Sequence, residues 1–187
     1  MKKSELLETM TGHGWNAIKM DGGLLFKYPL EERFLISLPR VADTGEKSVF
    51  YSGAGVGFEL FSQVVSSIAG RTFSLSAVED FPLRLSRFEA ADKSWNELIG
   101  DSTESLISLA QQVDLTTALQ NHAEIEKASW PTFNLHLASL VMLGDLDRLK
   151  GYREKIQRGD MAGLHSLMTL TAVGKALESI SGGSPST

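Results

Sequence analysis

The feature that most constrains this chain is a change of hydrophobic period near Ala90. Before that point, apolar residues alternate in short runs separated by turn residues; after it they recur every three to four positions and strand signals stop. A chain patterned this way is expected to be α+β. The expectation is an antiparallel sheet of about five to six strands in the first half, with helices, followed by a helical second half of antiparallel hairpins. With 187 residues the chain is long enough to bury a core without disulfides or metals. We expect a single domain over 1–187, with a strand-rich region at 1–90, a helical region at 91–180 and a frayed tail at 181–187. No Pro/Gly/Ser-rich linker separates the two regions.

Within the strand-rich region, Ser4 to Thr11 reads as a short helix with Leu6, Leu7 and Met10 on one face, stopped by Gly12-His13-Gly14. Trp15–Met20, Leu24–Tyr28 and Phe34–Leu38 then form a meander, the first turn being Asp21-Gly22-Gly23 and the second running through Pro29 to Glu32. Ser48–Val56 reads as a fourth strand. Glu59–Ala69 reads as a helix stopped by Gly70, with Leu60, Val64, Val65 and Ile68 on its apolar side. Thr72–Ala77 and Leu83–Phe88 read as a hairpin across Glu79 to Pro82.

In the helical region, Asp92–Ile99 predicts a short helix. Asp101 with Glu104 has capping-box spacing for the next one, whose stripe runs through Leu106, Leu109, Ala110 and Val113. Phe133–Leu143 is apolar nearly all round, which predicts a central helix. Gly144-Asp145 and Gly159-Asp160 each place a left-handed stop beside an N-cap, predicting closely spaced helices at Leu146–Arg158 and Met161–Ile180.

Composition narrows the chemistry. Cysteine is absent, so thiol catalysis, disulfides and thiolate metal sites are excluded, and a reducing cytoplasm is the expected location. Lys and Arg number 18 against 23 Asp and Glu, for a formal net charge of −5. Without a basic cluster, no nucleic-acid partner is expected, while a basic protein would be electrostatically compatible. No apolar run is long enough to span a bilayer, so no membrane role is expected.

Candidate sites are few. Ser52-Gly53-Ala54-Gly55-Val56-Gly57-Phe58 lies between a strand and a helix, so Gly53, Gly55 and Gly57 are candidate ligand-binding residues of a small-ligand or nucleotide-binding enzyme. The pattern departs from the dinucleotide fingerprint where Phe58 stands in place of its last glycine. A strand end or bulge, where backbone passes close to a neighbour, is the competing reading. His122 and Glu126 have helical ligand spacing with no third ligand, and His136 in the apolar helix reads as a core or interface histidine. No nucleophile elbow occurs. No catalytic residue, metal or cofactor is therefore nominated.

Leu135 to Leu149, followed by Tyr152 and Gly159-Asp160, resembles the helical tails of small bacterial proteins of the toxin-immunity kind, over about a quarter of the chain. The resemblance implies a non-enzymatic protein that neutralises a cognate toxin by covering its active face. Trp130, Asp145 and Asp147 are the candidate partner-binding residues. Type III secretion chaperones are similar in size, acidity and α+β plan, which implies a secreted effector as the alternative partner. The helices after Ala128 depart from that plan.

Overall fold

The computed structural model describes residues 1–20, 23–43, 48–71, 74–82, 84, 87–90, 93–124, 132–161 and 168–181. The fold is α+β, with antiparallel sheets drawn from the first ninety residues and helices dominating the remainder. The chain divides into two compact units, Met1–Phe58 with Glu79–Val113 and Glu59–Val78 with Asp114–Thr187. Each is described in turn.

The first unit begins with α1 (Lys3–Gly12) and a five-stranded antiparallel sheet in the order β1-β2-β3-β6-β7. Its strands are β1 (Asn16–Met20), β2 (Gly23–Pro29), β3 (Phe34–Ser37), β6 (Ala54–Gly57) and β7 (Glu79–Asp80). A three-stranded antiparallel sheet contains β4 (Arg40–Asp43), β5 (Ser48–Tyr51) and β8 (Arg87–Ala90), with β5 in the middle. The predicted single strand over Ser48–Val56 is thus two strands in two sheets.

The register explains this split. Phe34 faces Gly57, Ser37 faces Ala54, Arg40 faces Tyr51 and Asp43 faces Ser48, so one hairpin runs from Phe34 to Gly57 without a slip. It is broken only at Leu38-Pro39 and Ser52-Gly53. Pro39 has no amide hydrogen to give. Gly53 turns at φ +50°, and a Cβ there would meet the Leu38 carbonyl oxygen at 3.1 Å. The base of the hairpin therefore serves one sheet and its distal half the other.

Helix α3 (Trp95–Gln112) packs with the inner sheet residues Phe26, Leu35, Phe50, Ala54 and Val56. Leu98, Ile99, Leu106 and Ala110 supply its apolar stripe, and Met10, Trp15 and Phe81 complete the cluster. Where the sequence suggested two helices, one 18-residue helix runs through Gly100. The capping box is Ser94 with Glu97, ahead of the predicted Asp101 and Glu104. At its other end the Arg33 guanidinium donates to the Ala110 and Val113 carbonyls at 2.8 and 3.0 Å, satisfying acceptors that no later turn of helix reaches.

The second unit contains α2 (Glu59–Ala69), α4 (Leu115–Ala123), α5 (Thr132–Leu143), α6 (Leu146–Gln157) and α7 (Leu170–Ser181). Helix α5 packs against the other four, and Leu137, Ala138, Ser139 and Leu140 are wholly covered. Its predicted central place is correct. Gly144 adopts φ +70° and the Asp145 carboxylate accepts from Arg148 N at 3.1 Å, so the predicted stop-and-cap junction forms. On α2, Phe61 faces inward whereas Leu60, expected inward, is 54% exposed.

The predicted strand over Thr72–Ala77 is replaced by a different arrangement. Residues 72 and 73 lie outside the described set, and 74–77 belong to no sheet. Instead Ser74 N and Ser76 N donate to the hydroxyls of Ser66 and Ser62 on α2, both at 2.9 Å. Those hydroxyls donate back to the carbonyls of the same two residues. The spacing makes this possible. Four helical residues advance about 6 Å and two extended residues about 6.6 Å, so serines at i and i+4 match alternate peptide groups of a strand. Of the expected partner Leu83–Phe88, residues 83, 85 and 86 are outside the described set, while Arg87 and Phe88 belong to β8 and pair with β5.

Candidate functional site

In the first unit, an open groove of about 320 Å³ lies along one face of α3, closed at the side by His13 and Tyr28. Asn96, Glu97, Gly100, Asp101, Thr103, Glu104 and Ile107 line it at helical spacing. His13 follows directly on α1, and its Nε2–H is shared between the Asn96 backbone carbonyl at 2.9 Å and the side-chain Oδ1 at 3.1 Å. Both acceptors are oxygens that cannot donate, which places the ring proton on Nε2. The imidazole lies over Gly100, where a Cβ would stand 2.9 Å from Cε1. Gly100 therefore keeps the place for this histidine at the cost of helix propensity.

Tyr28 is held edge-on to Trp15 at 5.4 Å, and the Trp15 indole N–H donates to Thr103 Oγ1 at 2.9 Å. One wall of the groove is thus fixed by the core. Along α3 Glu97, Asp101 and Glu104 follow one another at i, i+4 and i+7. Glu97 is held below the usual carboxylate range by the Ser94 hydroxyl and amide, whose hydrogen bonds favour the charged form. Asp101 pairs with Lys93, and Glu104 is exposed. An aromatic ring beside carboxylates can hold an ammonium or guanidinium group.

The second unit contains a chain of buried polar groups. His136, 3% exposed on α5, lies between the His122 carbonyl, 2.9 Å from Nδ1, and the Tyr152 hydroxyl, 3.0 Å from Nε2. His122 in turn places Nε2 2.8 Å from the Val78 carbonyl. Arg148 donates to the Ala123 carbonyl at 2.6 Å and pairs with Asp145 at 3.1 Å. Burial pushes the His136 pKa down, and burial pushes that of Tyr152 up.

The residues nominated from sequence are dispersed. Gly55 and Gly57 belong to β6, which pairs with β3 and β7, so they serve a ladder; Gly53 makes the bend between β5 and β6. Asp145 is committed to capping α6 and to Arg148, whereas Asp147 is exposed in the first turn. Trp130 and Glu126 lie outside the described residues. Sequence reasoning missed the groove. The signals were Gly12-His13-Gly14, read only as a helix stop, and a glycine inside a helical stripe.

Among the described residues no helix is long and apolar enough to cross a membrane. No curated protein and no solved structure matches the chain. A family model matches residues 2–179, and the chain belongs to that family, described as a family of unknown function (DUF6990).

Proposed function

We propose that this member of DUF6990 is a non-enzymatic binding protein that receives a basic segment of a protein partner, in the manner of an immunity protein covering its cognate toxin. The observation that carries this reading is the groove on α3, lined by Tyr28, His13 and Ile107 and by Glu97, Asp101 and Glu104, of which Glu97 also caps the helix and Asp101 also pairs with Lys93 while Glu104 is exposed. Exposed carboxylates of this kind add little affinity singly. Together with a net charge of −5 they favour encounter with a basic surface, while Tyr28 and Ile107 supply contact area.

The test uses the products of genes adjacent to this one. Each is co-expressed with the chain, and complexes are followed by size-exclusion chromatography and by association kinetics at low and high salt. A complex with a basic toxin or effector is expected. Glu104→Lys is expected to slow association about tenfold while the fold is kept. Growth rescue by the chain separates neutralisation of a toxin from chaperoning of a secreted effector. Absence of a complex with any neighbour, or association unchanged in Glu104→Lys, overturns the reading.

A further inference from the structure

The groove on α3 holds an acceptor besides its carboxylates. The Asn96 backbone carbonyl can only accept, so the neutral His13 ring carries its proton on Nε2. Nδ1, across the ring from that bond, is then a lone pair, and among the described residues no hydrogen bond reaches it. A glycine keeps the ring there. A Cβ at Gly100 would stand 2.9 Å from His13 Cε1, although alanine would suit the middle of a helix better by about 1 kcal/mol.

The free negative charge is smaller than three carboxylates suggest. Glu97 caps α3 with Ser94, and Asp101 pairs with Lys93. Glu104 is exposed and has no partner among the described residues. A cation entering the groove therefore meets one free carboxylate, one neutral nitrogen and the Tyr28 ring. A single exposed carboxylate is worth about 0–1 kcal/mol to an ammonium, which must give up a tightly held water shell. A guanidinium is more weakly hydrated and lies flat on an aromatic ring. Its five N–H groups share one plane and can serve a nitrogen lone pair and a carboxylate together.

We propose that the groove selects arginine over lysine in the segment it receives: the guanidinium lies against the Tyr28 ring and donates to His13 Nδ1 and to the Glu104 carboxylate. The inference rests on the proposed function, in which the groove receives a basic segment, and names the side chain that enters it. His13 is then a binding residue as well as the end of α1. Gly100 is a positioning residue that acts through His13.

The test is an NMR titration of the full chain at about pH 8, where an ordinary imidazole is neutral. The probes are two peptides blocked at both ends, Gly-Ser-Arg-Ser-Gly and Gly-Ser-Lys-Ser-Gly. Backbone amide shifts read the affinity, and imidazole nitrogen shifts read His13. The free chain should show His13 as the Nε2–H tautomer. The arginine peptide should bind about fivefold more tightly than the lysine peptide and should move the Nδ1 resonance toward that of a hydrogen-bonded nitrogen. Gly100→Ala should fold, since alanine favours the helix, and should lose the preference because its Cβ drives the ring from its place. An Nδ1–H tautomer, equal affinity for the two peptides, an Nδ1 resonance that stays still while the arginine peptide binds, or a preference that persists in Gly100→Ala overturns the arginine assignment and leaves the groove as a general cation site. Groove shifts from neither peptide overturn both.

Discussion

The two units each cover an apolar helix, and they do so with different chemistry. In the first, α3 is laid on sheet residues that are almost all hydrocarbon or aromatic. It buries Ser102 and Thr103, whose hydroxyls return to the Ile99 carbonyl of the same helix. Its long-range contacts with buried or half-buried side chains include Trp15 to Thr103 and Arg33 to the Ala110 and Val113 carbonyls. In the second, α5 is the more apolar helix, yet it buries Asn134, His136 and Ser139. Helix α2 brings Ser62 and Ser66 to the same unit. A sheet satisfies its own peptide groups through its ladder. A helical unit that must also hold an extended segment has no ladder to offer and uses side chains in its place. Hydrocarbon packing should therefore dominate the first unit, and the second should be sensitive to single polar atoms.

That contrast can be broken most directly at Trp15. Trp15→Ala removes a side chain only 1% exposed and leaves Thr103 without its donor, so a loss of about 3–5 kcal/mol is expected from denaturant titration. A loss near the surface-mutation range would mean that the first unit is not held by this cluster.

A smaller effect sharpens the other side. Ser66→Ala deletes one oxygen atom and leaves the Ser74 amide unpaired, which should cost about 1–3 kcal/mol. Ser67→Ala, one position along on the exposed side of the same helix, should change stability by less than about 0.5 kcal/mol. Equal effects at the two serines would show that the hydroxyl pairing contributes nothing.

The subtlest expected difference is in pH dependence. His136 has its folded pKa lowered by burial, so as pH falls through about 6.5 the unfolded chain takes up a proton before the folded one does. Stability from this group is fully present above the unfolded pKa and declines below it. Thermal unfolding followed between neutral and mildly acid pH should show that decline in the parent chain, with a smaller decline in His136→Gln. Identical pH profiles would mean that His136 contributes nothing to the acid response.

Much of the fold was legible because local chemistry decided it. Gly70 and Gly144-Asp145 mark helix ends whatever surrounds them, and the change of period at Ala90 separates strands from helices. What was illegible depends on partners far along the chain. Nothing near residue 74 says that its amide pairs with a helix hydroxyl rather than with a strand. Nothing near Gly100 says that a histidine 87 positions earlier lies over it. The same holds for the candidate site: Asp145 looked available in sequence, but the cap that predicted its junction is also what occupies its carboxylate. The groove needed Tyr28, His13 and α3 to be placed side by side, which no spacing expresses.

The unbroken register of the bent hairpin has a consequence for how the chain folds. Pairing that begins between Asp43 and Ser48 can propagate to Phe34 and Gly57 by adding one neighbour at a time, each closing only a slightly longer loop. Two sheets can thereby be started by a single local event of low contact order. The hairpin offers the edges beside which β7 and β8 pair, on β6 and β5.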